Sequence, residues 1–400
     1  MSQRIPTSHV GSLPRPDDLA RLTLQRSAGE LDDEAGYEAA LSDAVQAVVA
    51  RQRDVGIDIV NDGEYGHSMG HRYDYGSWWS YIFQRLGGLD LQPGSYDSPS
   101  APPKPGDLTL ASWDQRRDML LFDEAYMDPA SGAAGPSPDL EAGVPVARGP
   151  ITYTGHAAIA QDIAHFKAAL AEAGLKDGYL NSVAPGSCAR FGNDYYASDE
   201  EFVYACADAM REEYQAIIDA GLMLQLDDPA IAENWDQINP EPSLEDYKRF
   251  TMIRVEALNH AIRDLPKERI RFHLCWGSWH GPHVTDIPMA DLVDVMLAVN
   301  AGTYSFEAAN VRHEHEWRIW NDVALPDDKI IMPGIVSHST NVVEHPELVA
   351  DRIANFARAV GPERVIASTD CGLGGRIHPQ IAWAKLEALA QGAELASGRV

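Results

Sequence analysis

Two side chains that can bind a metal ion lie two residues apart in a predicted strand. His273 and Cys275 stand in IRFHLCWG, and alternate residues of a strand face the same side of a sheet. One ion could contact both, although such a triplet is more often a packing feature. Glu307 in SFEAAN and Cys371 in STDCGLGG end two later predicted strands. One imidazole, two thiolates and a carboxylate together suit zinc in tetrahedral geometry.

The elements that must bring these residues together follow a regular pattern. Short runs rich in Val, Ile and Tyr alternate with Ala-rich stretches of helical period, which is typical of βα units around a parallel sheet. The predicted strands are 5–13, 56–64, 144–155, 222–230, 270–277, 303–310, 329–338 and 364–372. A ninth candidate, 178–187, is either an accessory segment or a sign that one of the eight is wrong. Predicted helices over 200–221 and 345–361 end at glycines, as helices commonly do.

Most of the predicted strands end in polar or ionisable residues. In a (β/α)8 barrel the C-terminal strand ends converge on one mouth, which would join the four candidate ligands. The sequence therefore predicts an α/β fold, a (β/α)8 TIM-type barrel spanning 1–400 as one catalytic unit. An open doubly wound sheet is the alternative, but no glycine-rich phosphate loop follows any predicted strand. Nucleotide cofactors are disfavoured for the same reason.

A segment rich in Pro, Gly and Ser interrupts this pattern after the second predicted strand. It spans residues 87–143 and includes QPGSYDSPSAPPKPG. Long insertions of this kind are commonly lids, oligomer arms or mobile excursions. We expect the insertion to cover either the site or a neighbouring subunit, which leaves a homo-oligomer open.

Charge and composition narrow the classes of partner. Asp and Glu number 60 against 32 Lys and Arg, a formal net charge of −28, which repels phosphate backbones and anionic lipid headgroups. Nucleic acid and membranes are therefore not expected as partners. No apolar segment of signal-peptide or membrane-spanning length is evident, so a cytoplasmic location is expected. Four cysteines are too few and too scattered for a disulfide framework.

Three further clusters have both a functional and a structural interpretation. Asp227 in LDDPA ends a strand and would suit a substrate ammonium group, whereas Asp228 could cap the next loop. The histidines of the HEHE run at 313–316 would diverge by about 200° on a helix, which favours a helix start at the barrel rim over chelation. The run HSMGHRYDYGSWW at 67–79 could be a substrate pocket or an aromatic-packed loop.

The motifs from SHVGSLPRP near residue 8 to DCGLGG near residue 375 resemble the C-terminal catalytic barrel of cobalamin-independent methionine synthase. The resemblance implies that zinc is held by the H-x-C pair, the Glu of SFEA and the Cys of DCG, namely His273, Cys275, Glu307 and Cys371.

The same resemblance implies a homocysteine site and a proton donor. The G-S turn corresponds to Gly11 and Ser12, the GE motif to Glu64, and the first acid of the IDEPA-like LDDPA to Asp227. The proton-donor histidine of the family resembles His338 in GIVSHST, with one residue fewer after the glycine.

Departures from the family concern the alkyl donor. We expect no counterpart of the family's N-terminal folate-binding half, and the Pro-rich insertion stands where the family has a Y-G-S-R segment. GPITYTGH replaces GPVTILNW, which places His156 where a tryptophan contacts the pterin. Methyl-tetrahydrofolate is therefore expected to be a poor donor. The EAANVRHEHEW stretch is similar to zinc-dependent thiol alkyltransferases, a group that includes epoxyalkane:coenzyme M transferase.

The chemistry of such a site is transfer of carbon to sulfur. A free thiol is mostly protonated at neutral pH, whereas a sulfur bound to zinc is deprotonated. The leaving nitrogen or oxygen then needs a proton, and His338 would supply it. We expect a zinc enzyme that transfers an alkyl group, preferably methyl, from a small donor to a small thiol such as homocysteine. The alternatives are thiol addition to an epoxide or other activated carbon, a uroporphyrinogen-decarboxylase-like barrel, and a non-catalytic barrel.

Overall fold

The computed structural model describes residues 4–68, 78–92, 108–111, 115–133 and 144–400. Its strands are β1 Leu86–Gln92, β2 Val144–Tyr153, β3 Tyr179–Val183, β4 Gly192–Asn193, β5 Met223–Asp227, β6 Ile270–Leu274, β7 Thr303–Phe306, β8 Ile330–Val336 and β9 Ser368–Thr369. Its α-helices are α1 Asp17–Ser27, α2 Glu34–Asp54, α3 Trp78–Arg85, α4 Arg117–Leu121, α5 Asp123–Met127, α6 His156–Ala173, α7 Pro185–Cys188, α8 Asp199–Asp219, α9 Ala230–Gln237, α10 Leu244–Ala261, α11 Met289–Leu297, α12 Pro346–Val360 and α13 Pro379–Ser397. Short 3-10 helices span Lys267–Arg269, Glu314–Asn321 and Pro362–Arg364.

Six strands form a parallel sheet in the order β3-β5-β6-β7-β8-β9. Two extended segments close this sheet into a ring. Thr7 bridges to Ala367 beside β9, and Val60 bridges to Gly178 beside β3. The two segments join each other, because the N–H groups of residues 58 and 59 donate to the Thr7 carbonyl. The predicted TIM-type (β/α)8 barrel is confirmed.

Two strand predictions exchange their roles. The ninth candidate at 178–187 contains β3, a fully buried barrel strand parallel to β5. The predicted barrel strand at 144–155 is instead β2, which lies in a separate three-stranded sheet with β1 and β4. Prolines do not account for the exchange, because the barrel strand β8, which has a neighbour on each side, also contains one, Pro333. As a barrel strand, β3 brings its Asn181 beside Asp227.

The helix predictions hold where the chain has clear end signals. The Ser198 side chain caps α8 by accepting from the N–H of Glu201, and three acidic residues follow in the first turn. The helix ends just before Gly221, whose φ of 82° suits glycine. α12 likewise ends before Gly361. The HEHE run leads into the 3-10 helix at 314–321, consistent with a helix start at the rim.

The predicted insertion is partly regular. β1 pairs antiparallel with β2, and α4 and α5 follow within residues 115–133. Residues 93–107, 112–114 and 134–143 of the insertion lie outside the described residues, as do 69–77 of the predicted 67–79 pocket. In the part of the chain that is described, no helix is long and apolar enough to cross a membrane.

Candidate metal and substrate site

Three of the four predicted metal ligands meet at the C-terminal ends of β6 and β9. His273 lies in β6, Cys275 is the first residue after β6, and Cys371 is the second residue after β9. One side-chain nitrogen of His273 and the two sulfur atoms all lie within 4.8 Å of one another. Parallel strands place these residues together although almost 100 positions separate them in the sequence. We call these three residues the sulfur cluster.

The hydrogen bonds of His273 suit a metal ligand. Its Nδ1 lies 2.9 Å from the Ser305 hydroxyl, while its buried Nε2 has no hydrogen-bond partner among the described residues. Metal-binding histidines usually engage their second ring nitrogen in this way, which fixes the ring. A buried nitrogen without a partner is costly unless something binds it. The sulfur cluster, with one nitrogen and two sulfurs, fits zinc.

The two thiols differ in their acidity. A hydrogen bond from Cys275 lowers the pKa of Cys371 well below the usual range, and the positive charge of Arg376 acts in the same direction. The same hydrogen bond, together with burial, raises the pKa of Cys275. One thiolate is therefore favoured before any ion binds, and thiolates are the form that metals require.

Glu307 lies beside the sulfur cluster, in a group with His338 and Asp370 whose ligand atoms are within 4.8 Å of one another. Its Oε1 accepts a hydrogen bond from the backbone N–H of Trp276 at 3.0 Å, and its Oε2 accepts one from Asn310 at 2.6 Å. Trp276 directly follows Cys275, so the two clusters adjoin. A fourth ligand role for Glu307 stays a prediction. We call Glu307, His338 and Asp370 the proton cluster.

In the proton cluster, the carboxyl groups hold protons more readily than the histidine does. Burial lowers the pKa of His338 to about 3, so the imidazole is neutral near pH 7. Burial and the nearby Asp370 raise the pKa of Glu307 well above its usual range, and burial raises that of Asp370 to about 6. To act as an acid, His338 must therefore receive a proton from a neighbouring carboxyl group or have its protonated form stabilised by a nearby anion. Its Nδ1 has no hydrogen-bond partner among the described residues.

Two further buried acids, Glu64 and Asp227, form a carboxyl pair close enough to Cys371 for their charges to interact. Asn181 on β3 donates to Asp227 Oδ2 at 2.9 Å. Burial, then the charge of Asp227, raises the pKa of Glu64 well above its usual range. Burial raises the pKa of Asp227 to about 6. Because burial disfavours the ionised form of both acids, a cationic ligand beside them would stabilise that form.

The Gly11-Ser12 turn joins the carboxyl pair to the loop that carries Cys371. A Cβ at Gly11 would clash with the Glu64 carboxyl and lie 2.7 Å from Asn181 Nδ2, so only glycine fits there. The Ser12 carbonyl accepts hydrogen bonds from the N–H groups of Leu373 at 2.8 Å and Gly374 at 3.0 Å. Four predicted substrate residues, Gly11, Ser12, Glu64 and Asp227, are thus close to the sulfur cluster.

The remaining predicted residues lie differently. His156 begins α6 with an exposed side chain, and its Nε2 is 2.7 Å from Glu212 on α8. No described contact joins His156 to the clusters, and its substrate role stays a prediction. Asp228 accepts a hydrogen bond from the Ser187 hydroxyl at 2.9 Å, whereas Asp227 accepts one from Asn181. Cys188 and Cys206 are buried free thiols within the hydrophobic core.

Several residues that shape the site were not singled out in the sequence. Asn181 lies in the ninth candidate strand, whose place in or outside the barrel the sequence left open, although a polar residue in an apolar strand is a usable signal. Asp370 stands beside Cys371 in the same motif, and its Oδ1 accepts from the N–H groups of Ala308 and Ala309. Arg376 donates to the Gly374 carbonyl and the Ser278 hydroxyl. Only the folded chain relates them to the clusters.

A TIM-type barrel with a histidine and two cysteines at its mouth defines a class of metal-binding α/β barrels. A family model for the catalytic domain of cobalamin-independent synthase matches residues 5–73 and 143–394. The chain belongs to this family, as the sequence resemblance predicted. The match omits 74–142, which contains all but the last residue of the predicted insertion.

Individual relatives agree with this assignment. A methionine synthase of Thermococcus kodakarensis is 24% identical over 393 residues, covering 98% of this chain and 93% of its own. A 2-hydroxypropyl-CoM lyase of Xanthobacter autotrophicus is 23% identical over 428 residues, covering 98% and 94%. The solved structure of a B12-independent methionine synthase from Shewanella sp. W3-18-1, in complex with selenomethionine, has a TM-score of 0.71 at 21% identity, covering 99% of both chains. That similarity establishes the shared fold.

Proposed function

We propose that this protein is a zinc-dependent enzyme that transfers an alkyl group, preferably methyl, to a thiol such as homocysteine. The observation that carries the proposal is the buried Nε2 of His273, which has no hydrogen-bond partner among the described residues and lies beside the sulfurs of Cys275 and Cys371. Nitrogen and sulfur ligands in this number suit zinc and leave room for Glu307 and a substrate sulfur. When bound, zinc would keep that sulfur deprotonated at neutral pH.

The chain's own residues would orient the thiol. The carboxyl pair of Glu64 and Asp227 suits the ammonium group of an amino acid, because both acids are buried beside the sulfur cluster. The backbone of Gly11 and Ser12 would hold the rest of that end of the molecule, as the family resemblance implies. His156 is proposed as a donor-side contact at the position of the family's pterin tryptophan.

The proton cluster would complete the transfer. Carbon leaves a nitrogen, oxygen or sulfur atom of the donor and bonds to the thiol sulfur, and a basic leaving atom takes up one proton. We assign its delivery to His338, and Asp370, whose ligand atom lies within 4.8 Å of that of His338, is the neighbouring acid that would return the proton.

A second candidate is addition of the thiol to an epoxide or similar activated carbon. The relationship to the 2-hydroxypropyl-CoM lyase, at 23% identity over nearly the whole chain, favours it. Ring opening leaves an alkoxide, which needs the same proton delivery. The two candidates therefore share the sulfur cluster and the proton cluster and differ in the donor.

The test is a matrix of thiols and donors. Zinc-loaded protein is mixed with homocysteine, coenzyme M or 3-mercaptopropionate, together with methyl-folates, sulfonium donors or a short epoxide, and thiol products are measured by mass. Methylated homocysteine supports the first candidate, and a hydroxyalkyl thioether supports the second. Rapid turnover with methyl-folate would contradict the expectation of a poor folate donor. Protein without bound metal and without any alkylated thiol would contradict both candidates and favour a decarboxylase-like or non-catalytic barrel.

A further inference from the structure

Part of the insertion, residues 115–133, binds the loop that follows Cys275. The Asp118 carboxylate accepts hydrogen bonds from two consecutive backbone N–H groups of that loop, His283 at 3.2 Å and Val284 at 3.0 Å. His283 has a φ of 56°, in the left-handed region that non-glycine residues adopt infrequently. Contacts from outside the loop thus hold it at a turn that costs free energy.

Two further contacts anchor the same segment. The Tyr126 hydroxyl donates to Asp118 at 2.7 Å and accepts from the indole N–H of Trp279 at 2.9 Å. The Arg116 guanidinium lies 4.1 Å from the centre of the Trp279 ring and pairs with Glu233 at 2.6 Å and with Asp236 on α9. Residues 115–133 therefore connect the loop at 276–286 to a helix of the barrel.

The loop continues this connection to the candidate metal site. At its start, the Trp276 N–H binds Glu307, and the Trp276 ring stacks on His313 with centroids 3.9 Å apart. At its end, Asp286 lies 3.0 Å from Nε2 of His313. Both ends of the loop thus meet at His313, and the residue after Cys275 is held against Glu307. Displacing the turn at 283–284 would loosen both contacts.

We propose that Asp118 and Tyr126 are positioning residues of the metal site, which hold the loop at 276–286 so that Cys275 and Glu307 are correctly spaced before an ion binds. Residues that orient metal ligands commonly change metal affinity by about 10- to 100-fold when they are replaced. The inference rests on the proposed metal site. It gives this part of the insertion a role in the chemistry even though none of its residues belongs to the sulfur cluster.

The variants Tyr126→Phe and Asp118→Asn test the proposal. The first removes one hydroxyl and keeps the ring, and the second weakens the hold on the two backbone N–H groups. Asp123→Asn is the matched control, because Asp123 is an exposed carboxylate in the same segment that bonds only to the neighbouring Glu124 N–H among the described contacts. Zinc affinity is measured by chelator competition, the visible spectrum of the Co²⁺ form reports ligand geometry, and thermal unfolding of the metal-free protein reports stability.

We expect both variants to lose about 10-fold or more in zinc affinity and to show a changed cobalt spectrum, while the control behaves as wild type. Wild-type affinity and spectrum in Tyr126→Phe, even with reduced thermal stability, would overturn the proposal and leave the segment as packing. The wild-type protein is measured first: if it binds neither Zn²⁺ nor Co²⁺, the proposed function fails and the inference with it. Binding by the wild type with no loss in the variants contradicts the inference alone.

Discussion

The sulfur cluster and the carboxyl pair are neighbours at one barrel mouth, and they differ in the kind of ligand group that each would bind. His273, Cys275 and Cys371 offer a nitrogen without a hydrogen-bond partner among the described residues and a favoured thiolate, which suit a metal cation. Glu64 and Asp227 are acids whose pKa values are raised mainly by burial, and the charge of Arg376 offsets only part of this for Glu64. The proposed substrate would match both, with its sulfur at the sulfur cluster and its ammonium group at the carboxyl pair. An amino acid thiol has this form.

The largest effect is expected when a cysteine of the sulfur cluster is replaced. Cys371→Ser and Cys275→Ser should each lower zinc affinity by at least about 100-fold and abolish thiol alkylation, because a hydroxyl replaces a thiolate ligand. Elemental analysis after dialysis measures the retained metal. Cys206→Ala is the control, since Cys206 is a buried thiol within α8. Full zinc retention in both serine variants would show that the ion lies elsewhere.

The next largest effect is expected in the proton cluster. His338→Asn should keep zinc and thiol affinity but lose about 10² to 10⁴ in kcat, the usual contribution of general acid catalysis. Donors with a weakly basic or cationic leaving atom should be spared, because they need little protonation. Steady-state rates with a sulfonium donor and with a donor whose leaving group is an amine measure this difference in the loss of kcat. An equal loss with both donor types would make His338 a structural or binding residue.

A smaller effect isolates the carboxyl side. Asp227→Asn should raise KM for homocysteine by about 10- to 100-fold, because hydrogen bonds to charged groups contribute about 1.5–3 kcal/mol. KM for 3-mercaptopropionate, a thiol without an amine, should stay within about twofold of wild type. Asp228→Asn is the control, because its carboxyl binds Ser187. If both thiols weaken equally, the carboxyl pair does not recognise the ammonium group.

The smallest expected effect is the release of protons when a ligand binds. The pKa of Asp227 is raised to about 6 by burial, so near pH 6 this acid is about half protonated, and an ammonium ligand would favour its ionised form and lower that pKa. Methionine, which has the ammonium group but no ionisable thiol, should therefore release protons when it binds at pH 6. Calorimetry in two buffers of different ionisation enthalpy measures the release. Proton uptake, or equal release by Asp227→Asn, would contradict the assignment.

Much of the site could be predicted because short motifs hold its parts in fixed geometry. Alternation along a strand predicted that His273 and Cys275 share a face, and the strand-end pattern predicted that Cys371 joins them. The barrel itself followed from the regular strands and helices. The ninth candidate strand left open which of 144–155 and 178–187 belongs to the barrel, and prolines do not decide it, because the barrel strand β8 contains Pro333. Local β-propensity does not say which sheet receives a strand.

The sequence by itself determined which groups are available: one H-x-C pair, a DCG cysteine, buried acids after strands and a fold able to gather them. Only the tertiary structure decided how those groups divide the work. It placed Glu307 with His338 and Asp370, and it brought Asn181 to Asp227. The physical reason is that burial and neighbouring charges set pKa values, and both depend on residues distant in the sequence. The hold of Asp118 on the loop after Cys275 likewise exists only in the folded chain.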